Sequence, residues 1–159
     1  ISLDAPDLAS LFAVPLRERL RVHALEAVEA APASGSAGIV AVIVVPCSMG
    51  TLARVAHGFS SNLVERAADV AIKEGRPLIV VPRETPLSVL HLENMLKLAR
   101  LGVIVLPAMP GFYHRPTTVA ELVDFVVGKI LDRLGVAHEL VARWQTPAPQ
   151  TPWHEGEET

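Results

Sequence analysis

At 159 residues, half of them hydrophobic, the chain has the size of one domain with a sizeable core and is too short for two ordinary ones. A formal net charge of −3 provides no basic field, which argues against nucleic acid as a partner and leaves neutral or acidic small molecules open. The single cysteine, Cys47, cannot staple the fold and fits a reducing, cytoplasmic compartment, while no apolar run approaches the ~20 residues that span a bilayer and no signal peptide is recognisable.

The chain opens on Ile1 rather than Met, so an upstream segment is expected to be missing. Asp4 to Phe12 reads as a short helix, with Asp4 as N-cap and Pro6 in the first turn, where a missing N–H costs nothing. Leu20 to Leu25 fits a strand. Ala30 to Gly38 contains only small residues and proline, the composition of a loop that lets another backbone or a ligand come close.

Apolar, strand-like runs then alternate with helical patterns. Ile39 to Val45 is a β-branched run that stops at Pro46, and a helix follows from about Gly50. A second helix is expected over Asn62 to Glu74, a strand over Leu78 to Val81, a helix over Val89 to Leu101 and a strand over Val103 to Leu106. The last helix runs from Val119 to Leu134, with Thr118 as its cap and Gly135 closing it. Strands that are apolar throughout, alternating with helices, predict an α/β fold: a three-layer arrangement around a mostly parallel sheet covered on both faces. Residues 1–144 are read as one domain. Gln145 to Thr159, rich in Pro, Thr and Glu, reads as a disordered tail or an arm that orders on a neighbour.

Ligands of open α/β sheets sit beyond the carboxyl ends of the strands, and three such ends carry polar groups here. The first is Pro46-Cys47-Ser48-Met49-Gly50-Thr51, where Ser48 and Thr51 serve either as plain N-caps or as donors, with the helix N-terminus, for an anion. The second is Pro82-Arg83-Glu84-Thr85-Pro86, where Arg83 and Glu84 form a surface ion pair or place a phosphate-binding arginine beside a carboxylate able to move a proton. The third is Pro110-Gly111-Phe112-Tyr113-His114, whose tyrosine either packs or reaches a ligand. Arg66 and Lys73 lie two helical turns apart on one helix side. His91 and His114 lack partners at metal-ligand spacing, so no metal is expected. Cys47 has no base beside it in sequence and is read as an inert, partly buried thiol. Scarce aromatics, 4% of the chain, beside abundant Ala, Val and Leu leave apolar surface in excess, from which a homo-oligomer is expected.

The segments PCSMGTLARVAHGFSSNLVERAADVAIKEGRPLIVVPRETPL, HLENMLKLARLGVIVLPAMPGFYHRP and LVDFVVGKILDRLG, together with the APASGS loop, resemble the UbiX-type flavin prenyltransferases from about Leu20 to Trp144. The resemblance implies a flavodoxin-like or Rossmann-like fold and a metal-independent enzyme that joins the prenyl group of dimethylallyl monophosphate to reduced FMN, building a fourth ring. It further implies a dodecamer with sites at subunit contacts and a product, prenylated FMN, used by UbiD-type decarboxylases. By matching positions, Ser48, Met49, Gly50, Thr51 and Arg83 would contact FMN. Arg66, Lys73, Glu84, Tyr113 and Lys129 would surround the prenyl phosphate, with Glu84, Lys73 and Tyr113 as the catalytic candidates, and Trp144 falls where the family has a tryptophan near the site.

Two departures from the family pattern stand out. Position 129 is Lys where many members have Arg, which keeps the charge and loses the bidentate fork. The family also opens with a strand and a Gly-Ala-Ser-Gly-type turn for the flavin phosphate, and nothing like it occurs here; an N-terminally incomplete chain is therefore expected. Two other readings remain beside prenyl transfer. One is a flavin-dependent decarboxylase or decarboxylase small subunit, the other a non-catalytic flavin-binding or assembly module.

Overall fold

A computed structural model describes residues 19–141. The helix expected over Asp4 to Phe12, the tail from Gln145 and Trp144 lie outside the described residues. The chain divides into two compact units, one up to Met109 and one from Pro110.

The first unit holds a three-stranded parallel sheet of β1 (Val42–Cys47), β2 (Leu78–Pro82) and β3 (Ile104–Val105), in that spatial order. Its helices are α1 (Met49–Ala56), α2 (Leu63–Lys73) and α3 (Val89–Arg100). β2 is central, and all five of its residues are buried, as an uninterrupted apolar run between two neighbours requires. β1 differs from the expectation of a strand covered on both faces. Val44 is buried, but Ile43 and Val45 are 39% and 57% exposed, and among the described residues only β2 pairs with it. β1 also begins at Val42 rather than Ile39 and continues through Pro46 to Cys47. Pro46 has no N–H to give to a ladder, and the register shifts across it: Val44 opposes Val80, then Cys47 opposes Pro82, so β1 carries one more residue than β2 over that stretch.

β3 is shorter than its apolar run. Beyond it the chain still follows β2, with Leu106 N–H donating to Val80 O and Ala108 N–H to Pro82 O, both at 2.9 Å, while Pro107 between them has no donor to contribute. Leu20 to Leu25 is no strand: it lacks regular structure, and Leu20, Val22 and Leu25 are 41%, 65% and 50% exposed. A run of strand-forming residues becomes a strand only where a neighbour supplies a ladder. Here the described link is a single bond, Leu63 N–H to Leu25 O at 2.8 Å.

The main core packs Val44, Leu78 and Val80 from the sheet against Leu52 and Val55 of α1, Ala68 and Ala71 of α2 and Leu98 of α3. Each fully buried Val or Leu contributes roughly 1.5–3 kcal/mol by leaving water. Alanines on α2 let that helix lie close to the sheet.

A buried charge joins α1 to α2. Glu65 is 0% exposed; its carboxylate accepts from Arg54 Nε, from Ser61 N–H at 2.9 Å and from Asn62 Nδ2 at 2.9 Å. Asn62 in turn caps α2, its Oδ1 accepting from Glu65 N–H at 3.0 Å. Burial pushes the Glu65 carboxyl up, but the Arg54 and Ser61 hydrogen bonds, the Arg54 charge and the Asn62 amide outweigh it and hold the group below the usual carboxylate range.

The Ala30 to Gly38 loop is approached closely, by the side chains of Glu74 and Arg76 just beyond α2 rather than by a backbone or a ligand. A Cβ at Gly35 would stand 2.6 Å from Glu74 Oε1, and Arg76 Nη2 donates to Gly35 O. In the second unit, α4 (Val119–Leu134) matches its expected bounds, with Thr118 Oγ1 accepting from Glu121 N–H at 3.2 Å and Gly135 in the left-handed conformation at φ 69°. No described helix is long and apolar enough to cross a membrane.

Candidate active site

The carboxyl ends of β1 and β2 are neighbours, because Cys47 and Pro82 are paired across the ladder. The residues that follow them, Ser48 and Arg83, therefore leave the sheet side by side at about one strand spacing, ~4.8 Å. Ser48 caps α1: its Oγ accepts from Thr51 N–H at 3.2 Å and lies 3.0 Å from Thr51 Oγ1. The capping role is real, and it leaves Ser48 and Gly50 exposed at the positive end of a helix whose first N–H groups have no partner within it. Gly50 is not required by the chain's own packing. A Cβ there would meet only Arg54 Nη1 at 3.5 Å and Ser48 Oγ at 3.9 Å, ordinary contacts. Met49 points the other way into the core, 8% exposed, so only its main chain is available to a ligand.

Arg83 and Glu84 are both exposed and do not form an ion pair; Glu84 Oε1 accepts from Thr85 N–H at 3.0 Å instead. Among the described residues the Arg83 guanidinium has no carboxylate partner. The rim thus presents a free cation, a carboxylate held by the backbone, two hydroxyls and a bare glycine, a donor set that fits a phosphorylated guest. Cys47, between these groups and the core, is 1% exposed, and burial pushes its thiol up to about 11. It stays protonated at neutral pH and is inert, as its sequence context suggests.

The cations of α2 are differently placed. Arg66 pairs with Asp69 at 3.3 Å and Lys73 with Glu74 at 3.1 Å, at 43% and 64% side-chain exposure. Lys73 ends α2 shortly before β2 begins at Leu78, and its neighbour Glu74 packs on Gly35, upstream of β1. It therefore stands at the amino edge of the sheet, opposite the rim that carries Ser48 and Arg83. Within one chain the fold does not bring Lys73 to that rim.

In the second unit, Tyr113 and Lys129 converge on one ring. Phe125 receives the edge of Tyr113 at 6.0 Å between centroids, the flat face of His114 at 5.4 Å, and Lys129 Nζ at 5.6 Å. Gly111 makes this possible, since a Cβ there would stand 2.7 Å from Tyr113 Cε1 and 3.1 Å from the Phe125 ring. His114 Nδ1 is shut off from solvent with no hydrogen-bond partner among the described residues. Phe125 went unnoticed in the sequence, although its place one turn before Lys129 is the spacing at which helical side chains meet. His91 belongs to a capping box with Ser88, each bond at 3.3 Å. Among the described residues no group of three or more His, Cys, Asp or Glu side chains could hold a metal ion.

The family model described as Flavoprotein matches residues 13–131. The chain belongs to the flavoprotein family. Within it, the relatives are UbiX proteins: a flavin prenyltransferase UbiX of Halalkalibacterium halodurans is 59% identical over 122 residues, covering 77% of this chain and 59% of the relative. Among solved structures, a dodecameric FMN-dependent Ubix-like decarboxylase from Escherichia coli O157:H7 superimposes with a TM-score of 0.77 at 46% identity, over 85% of this chain and 74% of that one. AnUbiX (PadA1), solved with FMN and dimethylallyl pyrophosphate, gives a TM-score of 0.78 at 39% identity, over 85% and 73% of the two chains. The fold is accordingly a flavodoxin-like α/β fold, a parallel sheet with flanking helices. The chain spans 55 to 62% of the length of three curated relatives it matches.

Proposed function

We propose that the protein is a flavin prenyltransferase, joining the dimethylallyl group of dimethylallyl monophosphate to reduced FMN to give prenylated FMN for a UbiD-type decarboxylase. The observation that carries this reading is the rim where the Ser48–Thr51 turn and Arg83, without a carboxylate partner among the described residues, emerge from adjacent strands. The names of the relatives, and the FMN and dimethylallyl pyrophosphate bound by AnUbiX, point to the same chemistry. Residues 1–144 act as one flavin-binding domain with a tail beyond, in the cytoplasm, where the one buried thiol stays reduced.

Ser48, Gly50, Thr51, the Met49 main chain and Arg83 hold FMN. The hydroxyls and helix N–H groups take an anionic or carbonyl oxygen, and Arg83 supplies charge-assisted donors. When the allylic C–O bond breaks, the leaving phosphate takes the bonding pair, and cations on its oxygens lower the barrier by stabilising that charge. Arg66, Lys73, Tyr113, Lys129 and Trp144 surround this phosphate, and Glu84 moves a proton as the new ring closes. Glu84 has one oxygen tied to Thr85 N–H, which fixes the carboxylate and leaves the other oxygen for the proton. Because Lys73 stands at the sheet edge opposite its own rim, it serves the site of a second copy. The protein is thus a homo-oligomer with shared sites, a dodecamer in this reading, as named for the Escherichia coli relative.

The test is to mix protein, reduced FMN and dimethylallyl monophosphate without oxygen and to look by mass spectrometry for a flavin heavier by one prenyl unit. Bound flavin without that gain in mass makes the protein a flavin-binding module. Release of carbon dioxide from an aromatic acid by the protein alone makes it a decarboxylase. Glu84→Gln is expected to keep FMN binding and slow product formation at least tenfold; unchanged turnover removes Glu84 from the mechanism.

A further inference from the structure

Helix α3 is poorly covered for its composition. Of its 12 residues only Leu98 is buried, whereas Val89, Leu90, Leu92 and Leu96 are 69%, 69%, 51% and 50% exposed, and Leu101 beyond its end is 55% exposed. Glu93, Leu96, Lys97 and Arg100 fall at i, i+3, i+4 and i+7, a single stripe. These residues and Leu101 line a shallow groove. None of the three charges has an ion-pair partner among the described residues, and Glu93 and Lys97 do not pair with each other although they sit one turn apart. A stripe that is acidic at its start, basic toward its end and flanked by apolar side chains is complementary to itself read backwards.

We propose that the outer face of α3 is a two-fold contact with α3 of a second copy, the helices running antiparallel. The proposal rests on the homo-oligomer reading and adds the face, the symmetry and the register. With the axis crossing the outer face at the height of Met95, itself packed against the core on the other side, Glu93 of each copy faces Lys97 of the other, Val89 faces Leu101, and the Leu90 side chain lies along the Arg100 stem. A parallel pairing is excluded by its own charges, because it sets Glu93 on Glu93 and Lys97 on Lys97. The antiparallel arrangement also opposes the two helix dipoles. A helix of this length, about 18 Å, buries less than the roughly 1,600 Å² of a standard interface, so the contact is one of several in the assembly.

Sedimentation velocity on the full chain tests this with Glu93→Lys, Lys97→Glu and the double swap. Both side chains point to solvent, and circular dichroism checks that each variant keeps its helices. Each single variant sets like charges across the axis and is expected to lower the particle mass, or to raise the concentration at half-dissociation at least tenfold. The double swap recreates the pair in reverse and is expected to restore the wild-type mass. If the wild type is oligomeric and the single variants keep its mass, or if the swap fails to restore what they lose, the α3 contact is wrong while the oligomer stands. A wild type that is monomeric at every concentration overturns both.

Discussion

Helices α2 and α3 flank the same sheet, yet one is finished by its own chain and the other is not. α2 buries Leu63, Glu65, Ala67, Ala68, Val70 and Ala71, and even its one sequestered charge has its partners supplied from residues 54–62. α3 buries Leu98 alone and turns four large aliphatic side chains to water. Both helices are amphipathic by pattern. Where the apolar face exceeds what the sheet can cover, as on α3, the surplus reports surface meant for another molecule; where it does not, as on α2, the apolar face is taken up by the chain's own core.

Within α3, Leu98 and Leu96 sharpen this contrast. Leu98→Ala is expected to cost about 3 kcal/mol in urea unfolding, the range for a fully buried leucine. An equal loss at Leu96→Ala in a dissociated sample breaks the contrast, since an exposed leucine is expected to stay within about 0.5 kcal/mol of wild type. On α2, Glu65→Gln is expected to cost about 2 kcal/mol, because the amide cannot hold Arg54 as an ion pair and turns a donor toward groups that themselves donate.

The same carboxylate sets a pH dependence. Its folded pKa lies below the unfolded value near 4.5, so the unfolded chain binds more protons in between. The stabilisation is complete above the unfolded pKa and is lost as pH falls through the folded one. Acid titration of stability is expected to be flatter between pH 5 and 3, on the order of that window, in Glu65→Gln than in wild type; parallel curves remove Glu65 as the source. The smallest expected effect is at the rim. Gly50→Ala removes backbone freedom from α1 at a position with room for a methyl, and is expected to raise stability by about 0.5 kcal/mol while weakening FMN binding at least tenfold in a fluorescence titration. A variant both more stable and fully able to bind flavin takes Gly50 out of the site.

Local signals were readable in the sequence, and pairings between distant segments were not. Thr118, Gly135 and the period of α4 are contained in one stretch of chain, and that helix has the bounds its pattern indicates. Ser48 opens α1 for the same reason. β1 shows the limit: seven apolar residues in a row state that a strand forms, but which side stays open depends on what lies beside it. Leu20 to Leu25 fits a strand and finds no ladder among the described residues. The Arg54 to Glu65 clasp spans eleven positions through a turn, and neither residue differs by type from a surface charge. At the site, the polar strand ends and their residues were legible. The gathering of Tyr113, His114 and Lys129 on Phe125, and the stationing of Lys73 at the opposite sheet edge, follow only from the folded path.

The burial of Cys47 makes the protein convenient to instrument. It is the sole cysteine in the sequence, and at 1% exposure with a thiol pushed up to about 11 it offers maleimides almost no thiolate at neutral pH. A cysteine introduced at exposed Ser36 becomes the one position in this sequence that reagents reach, so dyes or spin labels can be attached singly without first deleting the native thiol. Distances between labels in neighbouring copies can then be measured directly in the assembled particle.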